Sequence, residues 1–315
     1  MPANREVDAL ARRLADLLGA QRLGRDVLLA PFTTFRIGGP ADLFCRARTA
    51  DELVAAVAAA RELGVPYFLL GTGANVLVAD GGFRGLVIRS EVGGMDFLDD
   101  RRVRAGAGVR MFRELIPATL ARGLGGLHHF VGIPSTVGGA MWQNLHFLSP
   151  DRSRTVFLAE VVESAEVLAG GERRTVGRDY FRFDYDYSIL HDRDDVVLAA
   201  TFALEAVPGE ALRRVVRDNL AWRDERHPDL WLYPCAGSIF RRIEGMGAGR
   251  LIDECGLKGR MHGNAQIFHK HANIIVNLGG ATAGDVRALI DLAQNAVQRR
   301  FGQELVPEIV FVGEF

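Results

Sequence analysis

The chain has 315 residues, enough for one large domain or for two or three ordinary ones. A hydrophobic fraction of 48%, a charged fraction of 24% and a mean hydropathy of +0.07 exclude disordered and fibrous classes. With 38 basic against 39 acidic side chains the formal charge is −1, so no global field draws the chain to nucleic acid or anionic lipid, and no apolar run reaches the ~18 residues of a membrane-spanning helix.

Val7, Leu10, Leu14, Leu17 and Leu18 recur at helical spacing and predict a first helix that stops near Gly19. Glu6, Asp8 and Asp16 fall inside that pattern, where a secretory leader would carry a basic stretch and then an apolar one; no leader is expected. Thr49 and Glu52 read as the capping box of a second helix carrying Leu53, Val54 and Val57, which Gly64 and Pro66 end. Short strands are predicted over 67–70, 76–79 and 86–88, separated by the loop Gly71 to Asn75 and the turn Asp80-Gly81-Gly82.

A strand over 103–107 and a helix over 111–123, bent at Pro117, come next. Residues 125–139 form a second glycine-rich stretch. Strands are predicted over 156–168 and 196–204, with a hairpin at Gly170-Gly171. After a boundary at Pro208-Gly209 a helix carries Leu212, Val215, Val216 and Leu220. The last helix is capped by Thr282 and Asp285 and buries Val286, Leu289, Ile290, Ala293 and Val297.

Glycine is the compositional outlier, at 36 residues, and it is clustered. In the loop from Gly71 it lets backbone N–H groups converge on an anion, or it makes a plain β-turn. The loop lacks the Gly-Lys-Ser/Thr of a P-loop and enters a strand where a Rossmann fingerprint would open a helix. Gly132 to Gly139 presents hydroxyls and amides to a pyrophosphate, or turns a closely packed corner. Both loops in one chain point to a dinucleotide gripped from two sides.

Three cysteines, odd in number and far apart, fit a reducing compartment. His128-His129 and the trio His262, His269 and His271 do not match metal-ligand spacings, and no metal is expected. No Gly-x-Ser-x-Gly elbow occurs. The segment Tyr233 to Arg242 sets Cys235 and Ser238 beside Gly237 and paired arginines, which reads either as a proton donor next to an anion site or as a turn into a strand. Glu308 lies in an apolar, strand-like run; on an edge strand it would be unremarkable, and buried it would need a purpose.

From about residue 31 onward six segments follow in order: Thr34-Phe35-Arg36-Ile37-Gly38-Gly39-Pro40-Ala41, Leu70 to Val78 with Gly82 to Ile88, Gly132 to Ala140, Ala236-Gly237-Ser238-Ile239-Phe240, Lys270 to Asn277, and Leu305 to Gly313. As an ordered set they resemble the UDP-N-acetylenolpyruvoylglucosamine reductase (MurB) family.

The resemblance implies an α+β protein. An FAD-binding domain of the vanillyl-alcohol-oxidase (PCMH) type would occupy 1–90 (with the first helix) and 91–207 as two α/β halves, and 208–315 would be an α+β substrate domain. It assigns FAD to Arg36, to Gly71, Thr72, Gly73, Ala74, Asn75 and Val76, and to Gly132, Ile133, Pro134, Ser135, Thr136, Gly138 and Gly139. It implies NADPH as hydride donor, Ser238 as proton donor, Glu308 at the substrate carboxylate, Tyr185 as a catalytic neighbour, and Gly237, Arg241 and Arg182 as substrate-binding residues.

Two departures stand out. Family members usually carry arginine after the tyrosine that Tyr185 matches, and here Asp186 follows; Arg182, read as sharing its strand face, and Arg193 are candidate substitutes. The run after Gly-Gly-Ala, usually of small residues, is Trp142-Gln143-Asn144-Leu145-His146-Phe147, and Arg241 stands where lysine is usual.

The activity implied is NADPH-dependent reduction of UDP-N-acetylglucosamine enolpyruvate to UDP-N-acetylmuramate for peptidoglycan, in the cytoplasm. Alternatives are a related FAD oxidoreductase acting on another sugar or alcohol, and a catalytically silent flavin or nucleotide-sugar binding protein. Partners are the UDP-sugar and NADPH, with no nucleic acid or membrane; nothing in the sequence fixes an oligomeric state.

Overall fold

A computed structural model describes residues 4–243 and 245–315. The chain opens with α1 (Asn4–Leu18), β1 (Leu23–Leu28), β2 (Pro40–Ala47), α2 (Ala50–Glu62), β3 (Tyr67–Leu70), β4 (Val76–Val78) and β5 (Phe83–Ser90). Four strands form a sheet in the order β1-β2-β5-β3, with β1 antiparallel and the others parallel. Parallel strands need a crossover, and α2 supplies the one from β2 to β3, which flank β5.

Leu10, Leu14, Leu53, Val57, Leu43 and Ile88 meet in one apolar cluster between the two helices and this sheet. Leu17 leaves the predicted stripe and is 48% exposed. Thr49 caps α2 by accepting from the Glu52 N–H at 3.2 Å, but only half of the predicted capping box forms. The Glu52 carboxylate turns instead to the Arg48 N–H and the Arg22 guanidinium, at 2.7 Å each, because a bidentate charged partner outcompetes the neutral N–H of Thr49.

The next region is a five-stranded antiparallel sheet, in the order 172–177, 162–169, 196–203, 102–106, 95–97. The central strand Val196–Ala203 is buried along nearly its whole length, which explains its unbroken apolar sequence. The strand predicted over 156–168 is divided into Thr155–Phe157 and Val162–Ala169 by a 3₁₀ turn, Leu158–Glu160. Glu160 causes the break, accepting the Phe157 N–H at 2.9 Å and pairing with Arg154. The helix predicted over 111–123 is a π-turn, Met111–Leu115, followed by Ile116–Ala121, with Pro117 in the first α-turn where its missing N–H is harmless.

Beyond residue 208 come the helices Gly209–Arg226, Ala248–Glu254 and Ala283–Phe301 and a sheet of three short strands. Helix Gly209–Arg226 fully buries Leu212 but only partly buries Val215, Val216 and Leu220. The last helix has the expected capping box and buries all five expected side chains. Its N-terminus is also held from the first sheet region, where the Asp80 carboxylate accepts the N–H groups of Ala283 and Gly284 at 2.8 and 3.1 Å.

Strand β4 does not join the first sheet. It pairs in parallel with Val310–Val312, so the last strand of the chain returns to the first region. This pairing sets the last strand of the chain directly after the first glycine loop.

Candidate active site

A cavity of about 1080 Å³ lies among all three regions. Both glycine loops line it, together with Tyr185, Gly237, Ser238 and Glu308. Its size lies at the upper end of the few-hundred to ~1,000 Å³ typical of small-molecule sites, leaving room for more than one bound group.

The first loop is pinned by its glycines. A Cβ on Gly73, which has φ +64°, would sit 2.4 Å from the Phe32 carbonyl oxygen, while the Gly73 carbonyl accepts the Thr34 N–H at 3.0 Å. The Thr72 hydroxyl donates to the Pro134 carbonyl at 3.3 Å and ties the first loop to the second. In the second loop the N–H groups of Val137 and Gly138 donate to Val109 and Ala107, and Thr136 caps the helix Val137–Gln143 through the Gly139 N–H. Its amides at 137–139 thus serve the fold, and the loop meets the cavity mainly as a closely packed wall.

Ser238 and Glu308 are set beside one another by backbone register. Glu308 N–H donates to the Ile239 carbonyl and Ile239 N–H to the Asn273 carbonyl, both at 2.8 Å, so residues 238–240 lie between two antiparallel partners. The Asn273 side chain clamps Phe240 on both its N–H and its carbonyl. Asn75 of the first loop donates its side-chain amide to the Glu308 carbonyl at 3.3 Å and accepts the Val310 N–H on its own carbonyl at 2.9 Å. The Thr34 hydroxyl donates to the Cys235 carbonyl at 2.7 Å. Loop, serine and glutamate therefore share one hydrogen-bonded frame.

Burial, reinforced by the nearby Asp186, pushes the Glu308 carboxyl well above the usual carboxylate range, against the opposing pull of Arg241. Burial also raises Tyr185, with Asp186 and Glu308 adding to it. The Cys235 thiol, buried, is pushed up to about 11.

Residues 182–188 do not form the strand on which Arg182 was expected to share a face with Asp186. Asp184 and Tyr187 exchange backbone hydrogen bonds in a tight turn, and Arg182 and Asp186 have φ of +45° and +52°. Arg182 consequently lines a second, smaller cavity, which it shares with Tyr185 but not with Asp186. The turn is anchored by the Asn144 side-chain amide, which donates to the Asp184 carbonyl at 2.9 Å, and by the Ser188 hydroxyl on the Trp142 carbonyl at 2.7 Å.

Asp186 is wholly buried at the cavity wall and accepts from the Gln143 amide at 3.1 Å, with His146 Nδ1 3.5 Å away. Gln143 and His146 were not singled out from the sequence as site residues; their only signal was the bulky run after Gly-Gly-Ala. Arg193 and Arg242 line the cavity as well.

Three other assigned residues stand apart from the lining. Arg36 is exposed, with its guanidinium 5.7 Å from the Trp231 ring. Arg241 is exposed, but its charge reaches Glu308, Asp186 and Tyr185. Gly132, at φ +82°, backs onto Arg223, whose side chain a Cβ would meet at 3.0 Å. Arg223 itself lines the cavity beside His227 and His271, and none of these three was assigned from the sequence.

Comparison with known proteins gives a consistent result. Residues 41–176 match an FAD binding domain and residues 228–312 match the C-terminal domain of UDP-N-acetylenolpyruvoylglucosamine reductase. A protein of that name from Moorella thermoacetica is 40% identical over 312 residues, covering 98% of this chain and 99% of the relative. One from Anoxybacillus flavithermus is 38% identical, covering 90% and 92%. The crystal structure of the Thermus caldophilus reductase superposes with a TM-score of 0.77 at 33% identity, over 92% of this chain and 99% of that one.

Proposed function

The chain belongs to the UDP-N-acetylenolpyruvoylglucosamine reductase family, and we propose that Ser238, Glu308 and Tyr185 carry its reaction in the cavity walled by the two glycine loops. It is an FAD-dependent oxidoreductase that reduces the enolpyruvyl group of a UDP-sugar, yielding UDP-N-acetylmuramate for peptidoglycan synthesis. The observation that carries the residue assignment is that one cavity of about 1080 Å³ is lined by both loops, Ser238, Glu308 and Tyr185.

The residues present fit a dinucleotide cofactor. A Cβ on Gly71 or Gly73 would lie 2.6 Å from the Thr136 hydroxyl or 2.4 Å from the Phe32 carbonyl, so only glycine lets the first loop pack there while its backbone lines the cavity, where a pyrophosphate would meet it. We assign FAD to Gly71–Val76 and to the wall from Ile133 to Gly139, with Gly132 shaping that wall from behind. Arg36 contributes from outside the lining. When bound, FAD supplies the hydride it has taken from NADPH.

Hydride addition to the methylene carbon leaves negative charge on the neighbouring carbon and its carboxylate. The chain must hold that charge and then deliver a proton. Ser238 is the donor in this assignment. Glu308, which keeps its proton because burial and Asp186 raise its pKa, approaches the carboxylate without repelling it. Arg241 and Arg242 bring positive charge to the same end, Gly237 leaves the substrate room, and Arg182 acts from the adjoining smaller cavity.

The domain division proposed is 1–90 and 91–207 as the two FAD-binding subdomains and 208–315 as the substrate side. An apolar cluster over 103–204 supports the middle unit, while Leu168, Val196 and Leu198 pack with the first, Phe35, Ile37 and Leu77 with the last, and strand Val310–Val312 crosses back to β4. Substrate and NADPH are soluble metabolites, which places the reaction in the cytoplasm and links it to cell-wall growth and division. No helix among the described residues is long and apolar enough to cross a membrane.

The test is an absorbance spectrum of the purified protein taken anaerobically. Bleaching by NADPH and recovery on adding UDP-N-acetylenolpyruvoylglucosamine is the expected result. Bleaching without recovery would point to a different substrate, and no bleaching would point to a silent binder.

A further inference from the structure

Asp186 is a carboxylate without a full set of partners. Its side chain is wholly buried, Oδ1 accepts the Gln143 amide at 3.1 Å, and Oδ2 has no hydrogen-bond partner among the described residues. Opposite it, the buried His146 Nδ1 lies 3.5 Å from Oδ1 and likewise has no hydrogen-bond partner among the described residues. The imidazole packs against the rings of Tyr185 and Phe157, at centroid distances of 4.7 and 5.5 Å, and those two rings meet edge to face at 6.4 Å. Both His146 and Asp186 line the cavity that holds Ser238 and Glu308.

A buried carboxylate and a partly buried imidazole this close, with Asp186 Oδ2 and His146 Nδ1 both unsatisfied among the described residues, form a pair waiting for charge. Burial disfavours the protonated imidazole and outweighs Asp186 and a hydrogen bond with the Asn144 backbone, which both favour it. The other groups acting on Asp186 are Gln143, Arg241 and His191, and those acting on Tyr185 beside it include Glu308 and Arg242. The substrate of the reaction proposed above brings a carboxylate of its own into this wall of two carboxyl groups. A further negative charge in a poorly solvated site raises the proton affinity of its neighbours.

Resting on that reaction, we propose that His146 and Asp186 act as a paired binding device for the substrate's carboxylate. His146 takes up a proton from solvent as the carboxylate enters, Asp186 holds the resulting imidazolium through Nδ1–H, and the proton returns to solvent when product leaves. His146 is the binding residue, opposing the charge that builds up on the carboxylate during reduction, and Asp186 is the positioning residue. The pair gives this chain a cation at the place where its sequence carries an acid.

Calorimetric titration of UDP-N-acetylenolpyruvoylglucosamine into the oxidised, FAD-loaded protein near neutral pH, in buffers of different ionisation enthalpy, tests the pair without turnover. The unsubstituted protein should take up on the order of one proton per substrate bound. In His146→Gln, and independently in Asp186→Asn, the uptake should vanish and affinity should fall about tenfold, a change of ~1.4 kcal/mol. The flavin-to-protein absorbance ratio verifies that each variant is folded and loaded. Proton uptake in a loaded His146→Gln equal to that of the unsubstituted protein would overturn the pair's role and leave the reaction standing. Failure of the unsubstituted protein to bind this substrate would overturn the reaction and the pair together.

Discussion

Gly71 lies so close to Thr136 that a Cβ added to it would stand 2.6 Å from the threonine hydroxyl. That hydroxyl already accepts the Gly139 N–H as the cap of the helix Val137–Gln143. The contact couples the two glycine loops, since filling the space at one displaces the cap of the other. Gly71→Ala should therefore weaken FAD retention about tenfold or more and cost about 1 kcal/mol of stability through the lost cap. The ratio of flavin to protein absorbance after gel filtration, read with the melting temperature of the apoprotein, checks both. A variant that retains flavin like the parent would remove Gly71 from the cofactor cradle.

Asp80 has a longer reach. It sits in the Asp-Gly-Gly turn after β4, yet its carboxylate accepts two N–H groups at the N-terminus of the helix Ala283–Phe301. Negative charge there satisfies orphan donors and complements the helix dipole. Asp80→Ala should cost about 1–2 kcal/mol, the upper range for a lost cap, seen as a lower urea midpoint. An unchanged midpoint would mean that the capping box of Thr282 and Asp285 suffices alone.

The elements that sequence exposes best are those whose stabilising contacts are local. Thr282 and Asp285 cap a helix whose five predicted core residues are all buried, because cap and stripe are written within one segment. The long-range partners are hidden. Nothing in the turn at Asp80 shows that its carboxylate is used some 200 positions away, and nothing in 76–79 shows that it pairs with the last strand. The same holds at the site. Both loops, Ser238 and Glu308 are legible as motifs, whereas Gln143 and His146 acquire meaning only when the turn around Asp186 folds against them. The face expected to be shared by Arg182 and Asp186 fails for a related reason: strand periodicity assumes an extended backbone, and the chain there turns through two left-handed residues.

Acid should destabilise the fold through histidines that are buried neutral. Burial, with Arg223 and His271 nearby, lowers His227 from 6.5 to about 3, and burial lowers His128 from 6.5 to about 4. Between those values and 6.5 the unfolded chain binds more protons than the folded one, so stability rises with pH and is lost as pH falls below about 6.5. The melting temperature should decline progressively from pH 6.5 to pH 4, and His227→Gln should make that decline shallower. An equally steep decline in the variant would assign the acid limb to other groups.

Glu308 should act in its protonated form. Its raised pKa means that turnover is highest below that pKa and falls as pH rises through it. Glu308→Gln keeps the shape and the hydrogen-bonding amide but cannot titrate. Substrate affinity should stay within a few-fold, kcat should drop by roughly 10²-fold, and the alkaline limb of the kcat profile should flatten. Retention of that limb in the variant would place the titrating acid elsewhere.

The proton donor itself can be decided between two neighbours. Cys235 and Ser238 flank Gly237 in the same cavity, and either side chain carries a hydrogen. A pKa pushed up to about 11 by burial keeps the Cys235 thiol protonated, but the thiol is enclosed with only 2% of the residue exposed, whereas Ser238 is partly open to the cavity. Access rather than acidity then favours the serine, whose weak intrinsic acidity is offset by the large basicity of the carbon next to the one that has just received hydride. Ser238→Ala should leave reduction of the bound flavin by NADPH intact and slow its reoxidation by substrate by roughly 10²–10⁴-fold, the usual worth of a positioned acid. Cys235→Ala should leave both half-reactions within a few-fold of the parent. Stopped-flow absorbance on the two variants separates the assignments, and a reversal of their order would transfer the donor role to the thiol.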